Sequence, residues 1–131
     1  MSAGELLGLK GVFIALGGAT GALTRAWLSA HSGLGTGWLE GVPLGTLWAN
    51  WAGSLLLGAL VGALPVDGPV KAGLTTGLMG GLTTFSTLSV EAASLFSSGG
   101  LLKALGHFGL HCLGGLIFAV FGLRIGLYFA K

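Results

Sequence analysis

The sequence predicts an all-α membrane protein of four transmembrane helices, and three observations lead there. Of 131 residues, 53% are hydrophobic and only 8% charged, whereas soluble domains carry about a quarter charged residues. The mean hydropathy is +0.90. Four apolar runs, approximately residues 6–30, 42–64, 70–97 and 101–130, each reach the roughly 20 residues that take a helix across a hydrocarbon core of about 30 Å. The connections are too short for a soluble domain, so residues 1–131 form a single four-helix transmembrane domain. Every backbone group inside the core must then be satisfied within a helix or by a lined cavity.

The first run follows "MSAGELLGLK", which lacks the basic stretch of a cleaved secretory signal and is expected to be retained. It carries Gly17 and Gly21 at the spacing that lets helix backbones approach in lipid, and it holds Thr20 and Arg25. The break "HSGLGTGWLEGVP" separates it from the second run, where Asn50 sits among apolar residues and Ser54, Gly58 and Gly62 repeat the small-residue spacing. Trp38, Trp48 and Tyr128 fall near run ends, where amphipathic rings prefer the membrane interface, with Trp27 and Trp51 slightly deeper.

The turn "PVDGPVK", with Pro65, Asp67, Pro69 and Lys71, opens the third run. That run contains "GLMGGLTTFSTLS", Gly77 to Ser89. Paired glycines beside hydroxyl and β-branched residues are a combination able to break a helix in the bilayer and free its carbonyls. The turn "SSGGLLK" leads to the fourth run, in which Gly122 and Gly126 repeat the small-residue pattern. Counted without gaps, His107 and His111 lie one turn apart on one face of it.

Charge excludes several classes. Six Lys/Arg against four Asp/Glu give a formal net charge of +2, too few and too scattered for a nucleic-acid footprint. The one cysteine, Cys112, cannot make an intrachain disulfide. Ionisable or amide groups in membrane runs are functional candidates by default, and here they are Arg25, Asn50, Glu91, His107, His111 and Arg124. No carboxylates pair, no Cys/His set has transition-metal spacing, and no Gly-x-Ser-x-Gly motif occurs, so an enzyme is not expected.

The polar set is rich in hydrogen-bond donors and nearly empty of intramembrane acids, which suits an anion path better than a cation path. Singly, most membrane hydroxyls merely bond back to their own helix. Carbonyls freed at a break could coordinate a hard cation such as Na⁺, and the positive edge of the Phe85 ring, beside Thr84 and Ser86, could solvate a small anion. Glycine on nearly every run suggests an oligomer, a dimer above all. Lys10, Lys71, Lys131 and Arg124 lie toward one side, Arg25 and Lys103 toward the other, a weak bias that permits both orientations and hence an antiparallel, dual-topology dimer.

Three segments together resemble the CrcB/Fluc family of bacterial fluoride channels: "GGATGALTR" at Gly17–Arg25, "PLGTLWANWAGSLLLG" at Pro43–Gly58, and "GLMGGLTTFSTLSVE" at Gly77–Glu91. The resemblance in length and layout covers essentially the whole chain. It implies an antiparallel dual-topology dimer in the bacterial plasma (inner) membrane, with two fluoride pores, a structural Na⁺ at the dimer interface, and passive export of fluoride that protects the cell. Fluoride that enters as neutral HF dissociates in the cytoplasm and is trapped, and a selective leak driven by the membrane potential relieves it. The partners implied are fluoride, membrane lipid and a second subunit.

Carried over residue by residue, the resemblance puts the Na⁺ carbonyls at Gly80 and Thr83, the pore amide at Asn50 and the first pore phenylalanine at Phe85. The vestibule arginine falls at Arg25 and the acidic residue after the broken helix at Glu91; Thr84, Ser86 and Thr87 would add hydroxyl donors or stabilise the break. Two positions depart. The family's second pore phenylalanine falls at Leu88, and its fourth-helix serine track falls near His111 and Gly115. Either a histidine replaces a lost hydroxyl donor, or His107 and His111 are packed neutral residues. A histidine-lined pore predicts fluoride flux that changes between about pH 5 and 8. The departures leave open a homodimer with modified or slower pores and one half of a heterodimer.

Two other functions share parts of the pattern. A small proton-coupled multidrug exporter needs a membrane-embedded carboxylate, for which Glu91 is the candidate. A non-conducting subunit of a larger membrane complex would explain the glycines, but not the coincidence of Asn50, Arg25 and the broken helix.

Overall fold

The computed structural model describes residues 2–36, 39–64 and 66–131, and among them every regular element is helical. Helix α1, Ala3–His31, starts at a capping box: the Ser2 hydroxyl accepts the Glu5 N–H, and the Glu5 carboxylate accepts the Ser2 N–H at 2.6 Å. Helix α2 spans Leu44–Ala63. The third apolar run is composite. It opens with α3, Pro69–Ala72, with proline in the first turn where its missing N–H costs nothing. A π-helical stretch follows over Gly73–Met79, then the short α4, Gly80–Leu82, two extended residues, and α5, Phe85–Gly99. Gly100, at φ 83°, makes the sharp turn into α6, Leu101–Phe129.

Helices α1, α2 and α6 are each long and apolar enough to cross a membrane. The third run is divided by a break at Thr83 and Thr84, as its glycine–threonine cluster predicts. The π stretch has no signal in the sequence reading above. Trp38, read there as an interfacial anchor, and Pro65, read as a turn residue, lie outside the described residues.

Packing follows the small residues. Helix α6 lies along α2, while α1 lies along the first half of the third run. A Cβ added to Gly62 on α2 would sit 2.7 Å from the Leu123 carbonyl oxygen of α6, and one added to Gly77 would sit 2.7 Å from that of Ile14 on α1. Backbone therefore touches backbone at these crossings. The buried core is small, centred on Ala49, Met79 and Leu82 with Leu28, Leu60 and Leu78 around it. Leucines, phenylalanines and valines such as Leu23, Leu116 and Val120 face outward instead, an arrangement stable only where the surroundings are as apolar as the side chains.

Trp51 departs from its expected role as an anchor. Its indole N–H donates to the Leu110 carbonyl at 3.0 Å, in a space that a side chain at Gly114 would fill, so it ties α2 to α6. Where the turn meets α3, Lys71 pairs with Asp67 at 3.0 Å and holds that carboxyl below its ordinary pKa.

Candidate functional site

The site is built around the break. Thr83 and Thr84 adopt extended backbone, φ −83° ψ 152° and φ −151° ψ 121°. Thr84 caps α5, its hydroxyl accepting the Thr87 N–H at 3.2 Å. From α2, the Asn50 amide clamps the other side of the same residue: its oxygen accepts the Thr84 N–H at 2.8 Å and its nitrogen donates to the Thr84 carbonyl at 3.2 Å. One side chain thus supplies both partners that a continuous helix would have given Thr84.

The break redirects two backbone donors. In an unbroken helix the Thr84 N–H would serve the Gly80 carbonyl and the Thr87 N–H would serve the Thr83 carbonyl. Here they go to Asn50 and to the Thr84 hydroxyl. Gly80 is exposed, and nothing lies within 4 Å of where its side chain would be. These two carbonyls, hard neutral oxygens relieved of their helical donors, fit an alkali cation. Of the two carbonyls between them in the chain, that of Gly81 accepts the Arg25 Nε–H at 3.2 Å. Arg25 therefore lies half-buried at the C-terminal end of the first half-helix, where a cation is favourable.

Many hydroxyls serve only their own helix. Thr20, Thr24, Thr75, Thr83, Ser89, Ser97 and Ser98 each donate to the carbonyl four residues back. Thr84, Ser86 and Thr87 instead share one cluster, with Thr84 Oγ1 3.1 Å from each of the other two hydroxyls. A cleft of ≈ 280 Å³ lies against that cluster, lined by Asn50, Ser54, Thr84, Phe85, Leu88 and His111 among others. Phe85 is 68% exposed and Leu88 only 3%. The ring of Phe108, on α6, meets Phe85 nearly edge-on, with centroids 6.1 Å apart. Phe108 carries no motif in the sequence, and only the register of α5 on α6 brings it here.

Beyond Asn50 the polar contacts continue. Asn50 Nδ2 lies 2.9 Å from His111 Nδ1, and the His107 and His111 rings are edge-on at 4.6 Å. His107 Nε2 lies 3.2 Å from Glu91 Oε2, whose other oxygen accepts the Thr46 hydroxyl at 2.6 Å. Both histidines are buried, at 1% and 4% exposure. Glu91 opens on a polar recess of ≈ 370 Å³ shared with Glu40, Ser94, Ser98 and Lys103.

Sequence spacing shows no transition-metal set, yet folding brings ligand atoms of Glu91, His107 and His111 within 4.8 Å of one another. The donor set nonetheless fits a metal poorly. The lone pair of His111 Nδ1 is taken by the Asn50 amide, which leaves the proton on Nε2 and no second lone pair to offer. Gly115, also expected near the pore, faces Ser54 on α2, one of the residues that line the cleft.

A family profile described as CrcB-like protein, Camphor Resistance (CrcB), matches residues 12–123. A protein named fluoride-specific ion channel FluC from Chloroflexus aurantiacus is 41% identical over 122 residues, 88% of this chain and 94% of the relative. Proteins of the same name are 38% identical in Nautilia profundicola, over 85% of this chain and 88% of the relative, and 41% identical in Hyphomonas neptunium, over 92% and 94%.

Proposed function

The chain belongs to the CrcB-like family, and from that premise we propose that it is a fluoride-selective channel, a multi-pass protein of the bacterial plasma membrane, and not an enzyme. The observation that carries the proposal is the break clamped by Asn50, which gathers amide, hydroxyl and aromatic-edge donors on one cleft with no carboxylate among its lining residues. Fluoride is small and strongly hydrated. A path for it must replace water with donors at short range, and amide N–H, Thr/Ser O–H and the positive ring edge of Phe85 do so without a fixed charge that would trap the ion. Arg25 draws the anion toward the site without standing in it.

On this reading two chains associate in antiparallel orientation, and Gly80, Thr83 and their symmetry mates hold one Na⁺ through backbone carbonyls. The ion would fix the break; no step of conduction passes through it. Export is passive: fluoride released from HF in the cytoplasm leaves down its electrochemical gradient and spares the cell.

The exporter alternative rests on Glu91, and that carboxylate is engaged by Thr46 and His107 rather than free to trade a proton for an organic cation. The test is ion efflux from proteoliposomes holding this chain alone, with a fluoride electrode, a potassium ionophore to set the voltage and a chloride control. Fluoride release without chloride release is expected. Silence from folded protein would sink the self-sufficient channel, and restoration by a related subunit would identify one half of a heterodimer.

A further inference from the structure

Two buried side-chain nitrogens have no hydrogen-bond partner among the described residues, His107 Nδ1 and His111 Nε2. A neutral imidazole carries one N–H and one lone pair, so a neighbour of fixed polarity decides which nitrogen is which. Both rings have such a neighbour. The Asn50 amide cannot be turned over, because its oxygen holds the Thr84 N–H and its nitrogen the Thr84 carbonyl. Its remaining hydrogen faces His111 Nδ1 at 2.9 Å, so that nitrogen is an acceptor and the proton lies on Nε2. At the far end the Glu91 carboxylate, already accepting from Thr46, faces His107 Nε2 at 3.2 Å. That nitrogen donates, and Nδ1 of His107 keeps the lone pair.

The two orphaned atoms are therefore complementary: a donor on His111 and an acceptor on His107, on neighbouring rings 4.6 Å apart at 70°. A hydrogen bond between them would satisfy both. We propose that Thr46, Glu91, His107, His111 and Asn50 form one directed hydrogen-bond chain, in which His111 is a positioning residue that holds one Asn50 amide hydrogen and Glu91 is its remote anchor. Were His107 an imidazolium instead, two N–H groups would oppose one another in a buried space, the costlier arrangement.

The consequence for conduction rests on the fluoride reading above. Both Asn50 hydrogens are engaged, one by Thr84 and one by His111. An anion reaching Asn50 must compete with His111 Nδ1, since the Thr84 contact is half of a paired clamp. The Glu91 charge, relayed through polarised N–H bonds, strengthens that competitor. His111 thus sets how readily the pore amide is released, a role that a packed neutral histidine would not have.

The first test needs no flux. With ¹⁵N-labelled histidine in the full chain in lipid bilayers, His107 and His111 are expected to show protonated Nε2 and bare Nδ1, with a correlation across the hydrogen bond from His111 Nε2 to His107 Nδ1. A proton on Nδ1 of either ring, or no inter-ring correlation, overturns the chain whether or not the protein conducts fluoride. The second test is fluoride efflux against concentration. His111→Phe keeps the ring and removes the acceptor, and should lower the half-saturating fluoride concentration about five-fold, the worth of one hydrogen bond. His107→Phe, which does not touch Asn50, should move it the same way by less. An unchanged half-saturation in both variants, with flux intact, overturns the positioning role while leaving the channel reading standing.

Discussion

At Asn50 one side chain makes three contacts of fixed polarity, two to the Thr84 backbone and one to His111. Asn50→Asp keeps the acceptor for the Thr84 N–H but turns both donating contacts into oxygen facing oxygen or nitrogen lone pairs, and adds a negative charge on an anion path. Fluoride efflux should fall about 100-fold, roughly two hydrogen bonds at ~1.4 kcal/mol each; unchanged efflux would remove Asn50 from the path. The two candidate pore positions on α5 separate by burial. Phe85 is exposed and Leu88 buried, so Phe85→Ala should lower efflux with little change in thermal stability. Leu88→Ala should cost about 2–5 kcal/mol through the cavity it leaves. Equal loss of flux from both would defeat the aromatic-edge argument at Phe85.

At the scale of elements, the third run decides the architecture, and its break depends on a cap. Thr84→Ala removes the acceptor for the Thr87 N–H and the centre of the hydroxyl cluster, and should destabilise the protein by about 1 kcal/mol. Because Thr84 also lines the cleft, efflux should fall as well; a stability loss with full efflux would make the cluster structural only. Between α2 and α6, a side chain at Gly122 would run into the Leu55 carbonyl, and Gly122→Val should cost about 1–3 kcal/mol by forcing the helices apart, read as earlier thermal unfolding in detergent. The break and the glycine crossings were legible because their causes are local: a composition that disfavours helix, and a four-residue spacing. The Glu91–His107 pair, the approach of Phe108 to Phe85 and the tie from Trp51 to Leu110 were not. Each depends on how one helix is rotated against another, and spacing along a single helix carries no such information.

For the whole molecule, the exposed apolar faces and the weak charge bias bear on one question, how the chain sits in the membrane. Lys10, Lys71, Lys131 and Arg124 lie toward one side and Arg25 and Lys103 toward the other, a difference of two, and the positive-inside rule acts through such small differences in short loops. Gly80 and Phe85, which bear the freed carbonyl and the aromatic edge, are exposed on the single chain. An antiparallel partner laid over them would complete a cation cage and enclose the cleft, something a parallel partner could not do symmetrically about the middle of the bilayer. Three lysines added around Asp67 should therefore fix one orientation and abolish efflux when that variant is made alone. Three added beside Lys103 should fix the other orientation with the same result. Made together, the two should restore efflux to within about two-fold of the unmodified chain, since only their pairing rebuilds the antiparallel interface. If either fixed variant conducts fully by itself, the chains assemble in parallel or work singly, and the dual-topology arrangement is wrong.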